Sequence, residues 1–159
     1  MSKNKNNTNV EPKITIILIV DDHPIVRDGL ASLINLEADL VVSAKAGNVA
    51  EAIKAVSDQQ IDVAVVDMLL KDETGIQVTK KIRAICPNLI VLIFSMSDDL
   101  VYVKQAFGAG AMGYITKDEI SEDIVKAIRH ILKGQIYIGN NLRKNLPQKE
   151  LDSLLASNV

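Results

Sequence analysis

Two kinds of stretch alternate along the chain: unbroken apolar runs, and segments whose apolar residues recur every three or four positions. Residues 61–67, Ile-Asp-Val-Ala-Val-Val-Asp, are of the first kind, with Val63, Ala64, Val65 and Val66 consecutive. A strand without in–out alternation is covered on both faces, the pattern of a parallel strand in an α/β sheet. Residues 14–20 and 89–94 repeat it. Residues 40–44 give a short strand nearer an edge, and residues 113–115 another after the glycine-rich turn 108–113. The intervening segments are helical. Val26, Leu30, Leu33 and Ile34 share a face after Pro24, which suits a first helical turn. Val49, Ile53 and Val56 follow Asn48 as N-cap, and Val78, Ile82 and Ile85 run up to Pro87. Asp98 caps a helix over 99–107, and Ile120, Ile124, Ile128 and Ile131 lead to Gly134 as a stop. Five strand–helix units in strict alternation predict a five-stranded parallel sheet, doubly wound as (βα)5, with helices on both faces.

Polar residues mark the strand ends. Asp21 and Asp22 follow the first strand, Asp67 closes the third, Ser95 follows the fourth and Lys117 the fifth. In a parallel sheet these ends share one rim, where open α/β folds place their ligands. Each residue alone has an ordinary reading, since acids cap helices, serines close turns and lysines are solvated. Together they describe a site. Three clustered carboxylates repel and hold protons unless a cation joins them. His23 reads as a loop residue that positions the first helix rather than as a ligand, which leaves hard oxygen donors and favours Mg2+. Asp67 is then a carboxylate nucleophile, with Lys117 and Ser95 as donors for phosphoryl oxygens. His130 is expected on the solvent side of the last helix.

Composition narrows the classes. The chain has 159 residues, 48% of them hydrophobic, with no Trp and only three Tyr and two Phe, so the core is aliphatic. A net charge of −2 leaves no electrostatic footprint for nucleic acid and no polybasic membrane patch. The single cysteine, Cys86, cannot form an internal disulfide; it reads as a packing residue on a helix and fits a reducing cytoplasm. No apolar run has the length of a membrane span, and no secretory leader is expected. Asn4, Asn6, Asn7 and Asn9 mark residues 1–13 as a solvated tail expected to be disordered.

Four segments carry a family resemblance: Ile19-Val-Asp-Asp-His-Pro24; Val65-Val-Asp-Met68 with Gly75 eight residues past Asp67; Phe94-Ser-Met96; and Ala109-Gly-Ala-Met-Gly-Tyr-Ile-Thr-Lys117. Across about residues 13–140 the chain resembles the receiver domain of two-component response regulators, most closely the NarL/FixJ-like subfamily whose receivers precede a LuxR-type DNA-binding domain. The resemblance implies a flavodoxin-like (CheY-like) three-layer sandwich over residues 14–134. It implies that Asp67 accepts phosphate from a phosphohistidine on a sensor histidine kinase. Mg2+ would be held by Asp22, Asp67 and the backbone carbonyl of Leu69, with Asp21 acting through a metal-bound water. Lys117 would pair first with Asp67 and then with the phosphoryl group. Ser95 would swing toward that group and Tyr114 would turn inward behind it. A homodimer on phosphorylation is left open.

Two positions depart from the family pattern. Leu70-Lys71 stands where Met-Pro is frequent, which should loosen the loop after Asp67. Leu69 is apolar where many members are polar, which bears on phosphoryl lifetime. Leu69 also weighs against a Mg2+-dependent phosphatase with an aspartyl nucleophile, because such enzymes usually carry a second acid at that position.

Residues 135–159 read as a linker followed by a helix, from Pro147 to Ala156, similar to the first helix of a LuxR-type helix-turn-helix domain. Its only basic residue is Lys149, opposed by Glu150 and Asp152. No recognition helix is present, so DNA binding is expected only through a C-terminal domain outside this chain. The alternative is a stand-alone receiver that relays phosphate or switches a protein contact.

Overall fold

The apolar runs become the central strands of a parallel sheet in the computed structural model, which describes residues 11–156. Most of the expected N-terminal tail, residues 1–10, lies outside the described residues. The strands are β1 (Thr15–Val20), β2 (Leu40–Ala46), β3 (Val63–Asp67), β4 (Ile90–Ser95), β5 (Gly113–Thr116) and β6 (Tyr137–Ile138). The helices are α1 (Pro24–Ile34), α2 (Val49–Asp58), α3 (Gly75–Ile85), α4 (Leu100–Gly108), α5 (Ile120–Leu132), α6 (Asn140–Asn145) and α7 (Gln148–Ala156). The strand order is β2-β1-β3-β4-β5-β6, every neighbour parallel. Among the described residues no helix is long and apolar enough to cross a membrane.

The continuous apolar runs are explained by the two cores they serve. Ile17, Ile19, Val63, Val65, Leu92 and Phe94 share one apolar cluster with Leu30 and Ile34 of α1 and Ile124, Ile128 and Ile131 of α5. Their neighbours Leu18, Val20, Ala64, Val66, Val91 and Ile93 share the other with residues of α2, α3 and α4, among them Val56, Val78, Ile82 and Val103. Every residue of β3 is buried. A polar side chain inside either core would lose its hydration without a partner, so charge is confined to the strand ends.

The sheet has six strands, not the expected five. Gly134, at φ 77°, ends α5 in the left-handed region and turns the chain back. Tyr137 N–H then donates to the Met112 carbonyl and Gly139 N–H to the Tyr114 carbonyl, which adds β6 beside β5. A two-residue strand has no periodicity to read, so Ile136-Tyr137-Ile138 passed as linker. Beyond it, Leu142, Leu151 and Leu154 are buried in the same cluster as Val103, Tyr114 and Ile138. Lys104 of α4 pairs with Glu150 of α7 at 3.0 Å.

Helix α3 starts at Gly75 because Thr74 and Gln77 close a capping box. Two local expectations shift. The cap of α4 is Asp99, whose carboxylate accepts from Val101 N–H, whereas Asp98 accepts from Asn145 Nδ2 at 3.0 Å. His130 is half-buried, its ring edge-on to Tyr137 with centroids 5.4 Å apart.

If β6 is part of the body, Ile138→Ala should destabilise the chain by about 2–5 kcal/mol, the cost of an emptied core site. Urea denaturation checks this; a change within error would show that the segment after Gly134 packs only loosely.

Candidate functional site

The strands end level with one another. Val20 pairs with Val66, Asp67 with Phe94, and Ser95 with Thr116. Strand order reverses at β1 and β3, and the crevice beside such a switch point is where open α/β sheets bind ligands. Asp21 and Asp22 leave β1 there and Asp67 ends β3. Lys117, just past β5, reaches across with Nζ 3.0 Å from Asp67 Oδ2. Its ammonium also lies 5.3 Å from the centroid of the Phe94 ring.

Negative charge exceeds what the protein supplies to balance it. Asp67 is 1% exposed and Asp21 is fully buried. Asp67 Oδ1 accepts from Leu69 N–H at 3.2 Å. Burial raises the Asp67 carboxyl above its ordinary range; the Lys117 hydrogen bond pulls it back in part, and the Asp21 charge pushes it up again. Asp21 Oδ1 accepts from His23 N–H at 2.8 Å and lies 2.9 Å from His23 Nδ1. Asp21 Oδ2 and Asp22 Oδ1 are buried without a hydrogen-bond partner, although His23 Nδ1 is also 2.9 Å from the latter. An orphaned buried acceptor costs about 1–3 kcal/mol, more when charged. Oxygens of Asp21, Asp22 and Asp67, with a His23 ring nitrogen, lie within 4.8 Å of one another. These residues fit a small divalent cation: the donors are mostly hard oxygens and two of them lack partners.

Main-chain bonds close the loop after Asp67. Leu70 N–H donates to the Glu73 carbonyl at 3.1 Å and Gly75 N–H to the Met68 carbonyl at 2.7 Å, bracketing a Leu69–Thr74 bridge. A Cβ on Gly75 would stand 2.3 Å from the Asp67 carbonyl oxygen. Only glycine lets α3 begin this close to the backbone of Asp67. Leu69, at the mouth, is 61% exposed.

Ser95 and Tyr114 are both buried and are joined through a residue that the sequence did not single out. Ser97 N–H donates to Ser95 Oγ at 3.0 Å, and the Tyr114 hydroxyl donates to the Ser97 carbonyl at 2.7 Å. The Tyr114 ring already lies inside, and burial raises its hydroxyl above the usual range. Ser97 was legible only as a second hydroxyl two residues past Ser95, a common turn motif. A second missed group is Glu119, which accepts from Thr116 Oγ1 at 3.1 Å and from Asn141 N–H at 2.6 Å. Asn141 Nδ2 also donates to Asp118 at 2.8 Å. With the Asn145–Asp98 bond, α6 is tied to both loops that flank Ser95 and Lys117.

Comparison with known proteins agrees with this geometry. Residues 17–129 match the family described as response regulator receiver domain. The oxygen regulatory protein NreC of Staphylococcus epidermidis is 34% identical over 131 residues, which are 82% of this chain and 60% of that protein. This chain thus spans about three fifths of the length of the curated relatives it matches. Among solved structures, a LuxR-family two-component response regulator from Aurantimonas sp. superposes with a TM-score of 0.81 at 32% identity, covering 87% of this chain and 99% of that one. The signal receiver domain of the putative response regulator NarL from Mycobacterium tuberculosis superposes at 0.72 and 31% identity, covering 78% of this chain and all of that one.

The raised Asp67 carboxyl has a consequence for stability. The native state binds this proton more tightly than the unfolded chain. Its contribution is therefore complete below the unfolded value of 3.8 and is lost as pH rises through the higher folded value. Ionised Asp67 then weakens the metal-free fold at neutral pH. Asp67→Asn should melt several degrees above the parent at neutral pH without divalent ions, with the gap closing on acidification. Equal melting temperatures at neutral pH would contradict this account.

Proposed function

This chain belongs to the response regulator receiver domain family, in its NarL/LuxR-type branch, and from that premise we propose that Asp67 accepts a phosphoryl group from a phosphohistidine of a sensor histidine kinase. The observation that carries the reading is the Lys117 ammonium 3.0 Å from an almost fully buried Asp67, beside two carboxylate oxygens without partners.

An Asp67 carboxylate oxygen attacks phosphorus, the phosphorus–nitrogen bond breaks, and the departing imidazole takes up a proton. The product is an acyl phosphate on Asp67. Lys117 gives up its contact with the Asp67 carboxylate for one with a phosphoryl oxygen. Asp22, Asp67 and the Leu69 carbonyl would hold Mg2+, with Asp21 contributing through water. The Leu69 N–H bonds to Asp67 and lies outside the Leu69–Thr74 bridge; in extended backbone the carbonyl of the same residue points to that same side. Held there, the ion would supply charge neutralisation for the transferring group.

The switch runs through Ser97. To reach a phosphoryl oxygen, Ser95 Oγ leaves the Ser97 N–H, and the same residue's carbonyl holds the Tyr114 hydroxyl. A new charge-assisted bond at Ser95 therefore reorganises the loop before α4, to which α6 is tied through Asp98. Past β6, which belongs to the receiver's sheet, α7 is similar to the first helix of a LuxR-type output domain. The longer protein would control transcription through that domain.

Incubation with a small acyl phosphate and Mg2+ tests the assignment. The protein should acquire one base-labile phosphate, and Asp67→Asn should acquire none while keeping its fold. Undiminished labelling of that variant would overturn it. A second expectation concerns lifetime. Leu69 cannot orient an attacking water at the mouth of the site, so phospho-Asp67 should decay more slowly in the parent than in Leu69→Asn or Leu69→Lys. Equal or faster decay in the parent would show that access at Leu69 does not set the rate.

A further inference from the structure

We propose that Phe94 is a positioning residue for the phosphoryl transfer: the face of its ring carries the Lys117 ammonium across β4, from the Asp67 carboxylate to the phosphoryl oxygen. The inference rests on reading Asp67 as the phosphoacceptor.

The topology makes the crossing necessary. Strand β4 lies between β3, which ends on Asp67, and β5, which leads into Lys117. Asp67 is level with Phe94, and Phe94 with Ile115. Side chains alternate along a strand, and Lys117 N–H continues the ladder past β5 by donating to the Ser95 carbonyl at 2.8 Å. Lys117 therefore rises on the same face as Ile115. Val63, Val65, Phe94 and Ile115 share one apolar cluster, so Asp67 belongs to that face as well. To come within 3.0 Å of Asp67 Oδ2, the lysine side chain must pass over residue 94. Its ammonium stands over the Phe94 ring, 5.3 Å from the centroid. That is inside the roughly 6 Å at which a ring face attracts an ammonium.

The ring does more than fill space. Ile90, Val91, Leu92 and Ile93 before it are all aliphatic, and the chain holds only one other Phe, so this core does not itself call for an aromatic here. Phe94 is fully buried and the Lys117 side chain is 21% exposed, so solvent screens the contact only in part. An aliphatic side chain at this position would set the ammonium against hydrocarbon, where a charge loses hydration without gaining a partner. A ring face attracts the cation yet accepts no proton and fixes no single hydrogen-bond direction. Lys117 can therefore exchange Asp67 for a phosphoryl oxygen while its ammonium stays in contact with the ring.

Site-specific replacement of Phe94 by mono-, di- and trifluorinated phenylalanine tests the role, because fluorine drains negative charge from the ring face while nearly keeping its shape. With a small acyl phosphate and Mg2+, the labelling rate at saturating donor should fall stepwise along the series, by about tenfold at the trifluorinated ring. The same series at Phe107, in the other apolar cluster, should leave the rate unchanged. A rate that does not move along the Phe94 series, or that falls equally along the Phe107 series, would overturn the proposal. A readout without phosphate comes from NMR of the unphosphorylated chain. The Lys117 Hε resonances, shielded by the ring, should move downfield in Phe94→Leu; resonances that stay in place would count equally against the contact. If Asp67→Asn is labelled undiminished, the function proposed above fails and takes this inference with it. A flat Phe94 series in a chain labelled only on Asp67 sinks this inference alone.

Discussion

A parallel sheet covered on both faces has nowhere to keep a charge except its rims. In this chain the constraint does most of the positioning. Alternate residues of β1, β3 and β4 are committed to two aliphatic cores, so acids and lysine collect at the carboxyl ends. Parallel register then sets those ends side by side, and the reversal of strand order at β1 and β3 opens a crevice between them. The attraction between Lys117 and Asp67 closes the site from the far side, fifty residues away in sequence. The cost is an excess of negative charge among buried carboxylates, whose oxygens would fit a small cation.

The same constraint explains what could be read from residues alone. Val63 to Val66 announce a doubly covered strand, and Asp67 is legible because it interrupts an apolar run where a core would not tolerate it. Ile120, Ile124, Ile128 and Ile131 keep helical spacing over three turns, and three of them are buried on the sheet. The missed strand has a plain cause, that short elements carry no period. The two residues of β6 look like linker, and their role depends on Gly134 turning the chain back onto β5. Asp98 and Asp99 are equivalent as caps until Asn145, far along the chain, engages one of them.

The polar side of the molecule is less local than the sequence suggests. Ser97 looks like an ordinary turn residue, yet it holds Ser95 with its N–H and Tyr114 with its carbonyl. Glu119 looks like an exposed helix-start acid, yet it accepts from Thr116 and from the backbone of Asn141. Both are bridges between a strand end and a later segment. Neither could be found by asking which residues have the right chemistry; only the distances connect them.

The edges of the sheet limit how this chain can assemble. At one border β6 offers only two residues of open ladder. At the other, β2 carries Lys45, paired with Asp28, and its register against β1 breaks between Ile17 and Leu18. Short strands, edge lysines and irregular register are devices by which proteins refuse an additional strand. A second copy or a partner therefore finds no template for extending the sheet. Any contact is left to helix faces and loops, whose side chains can be changed one at a time without disturbing the fold.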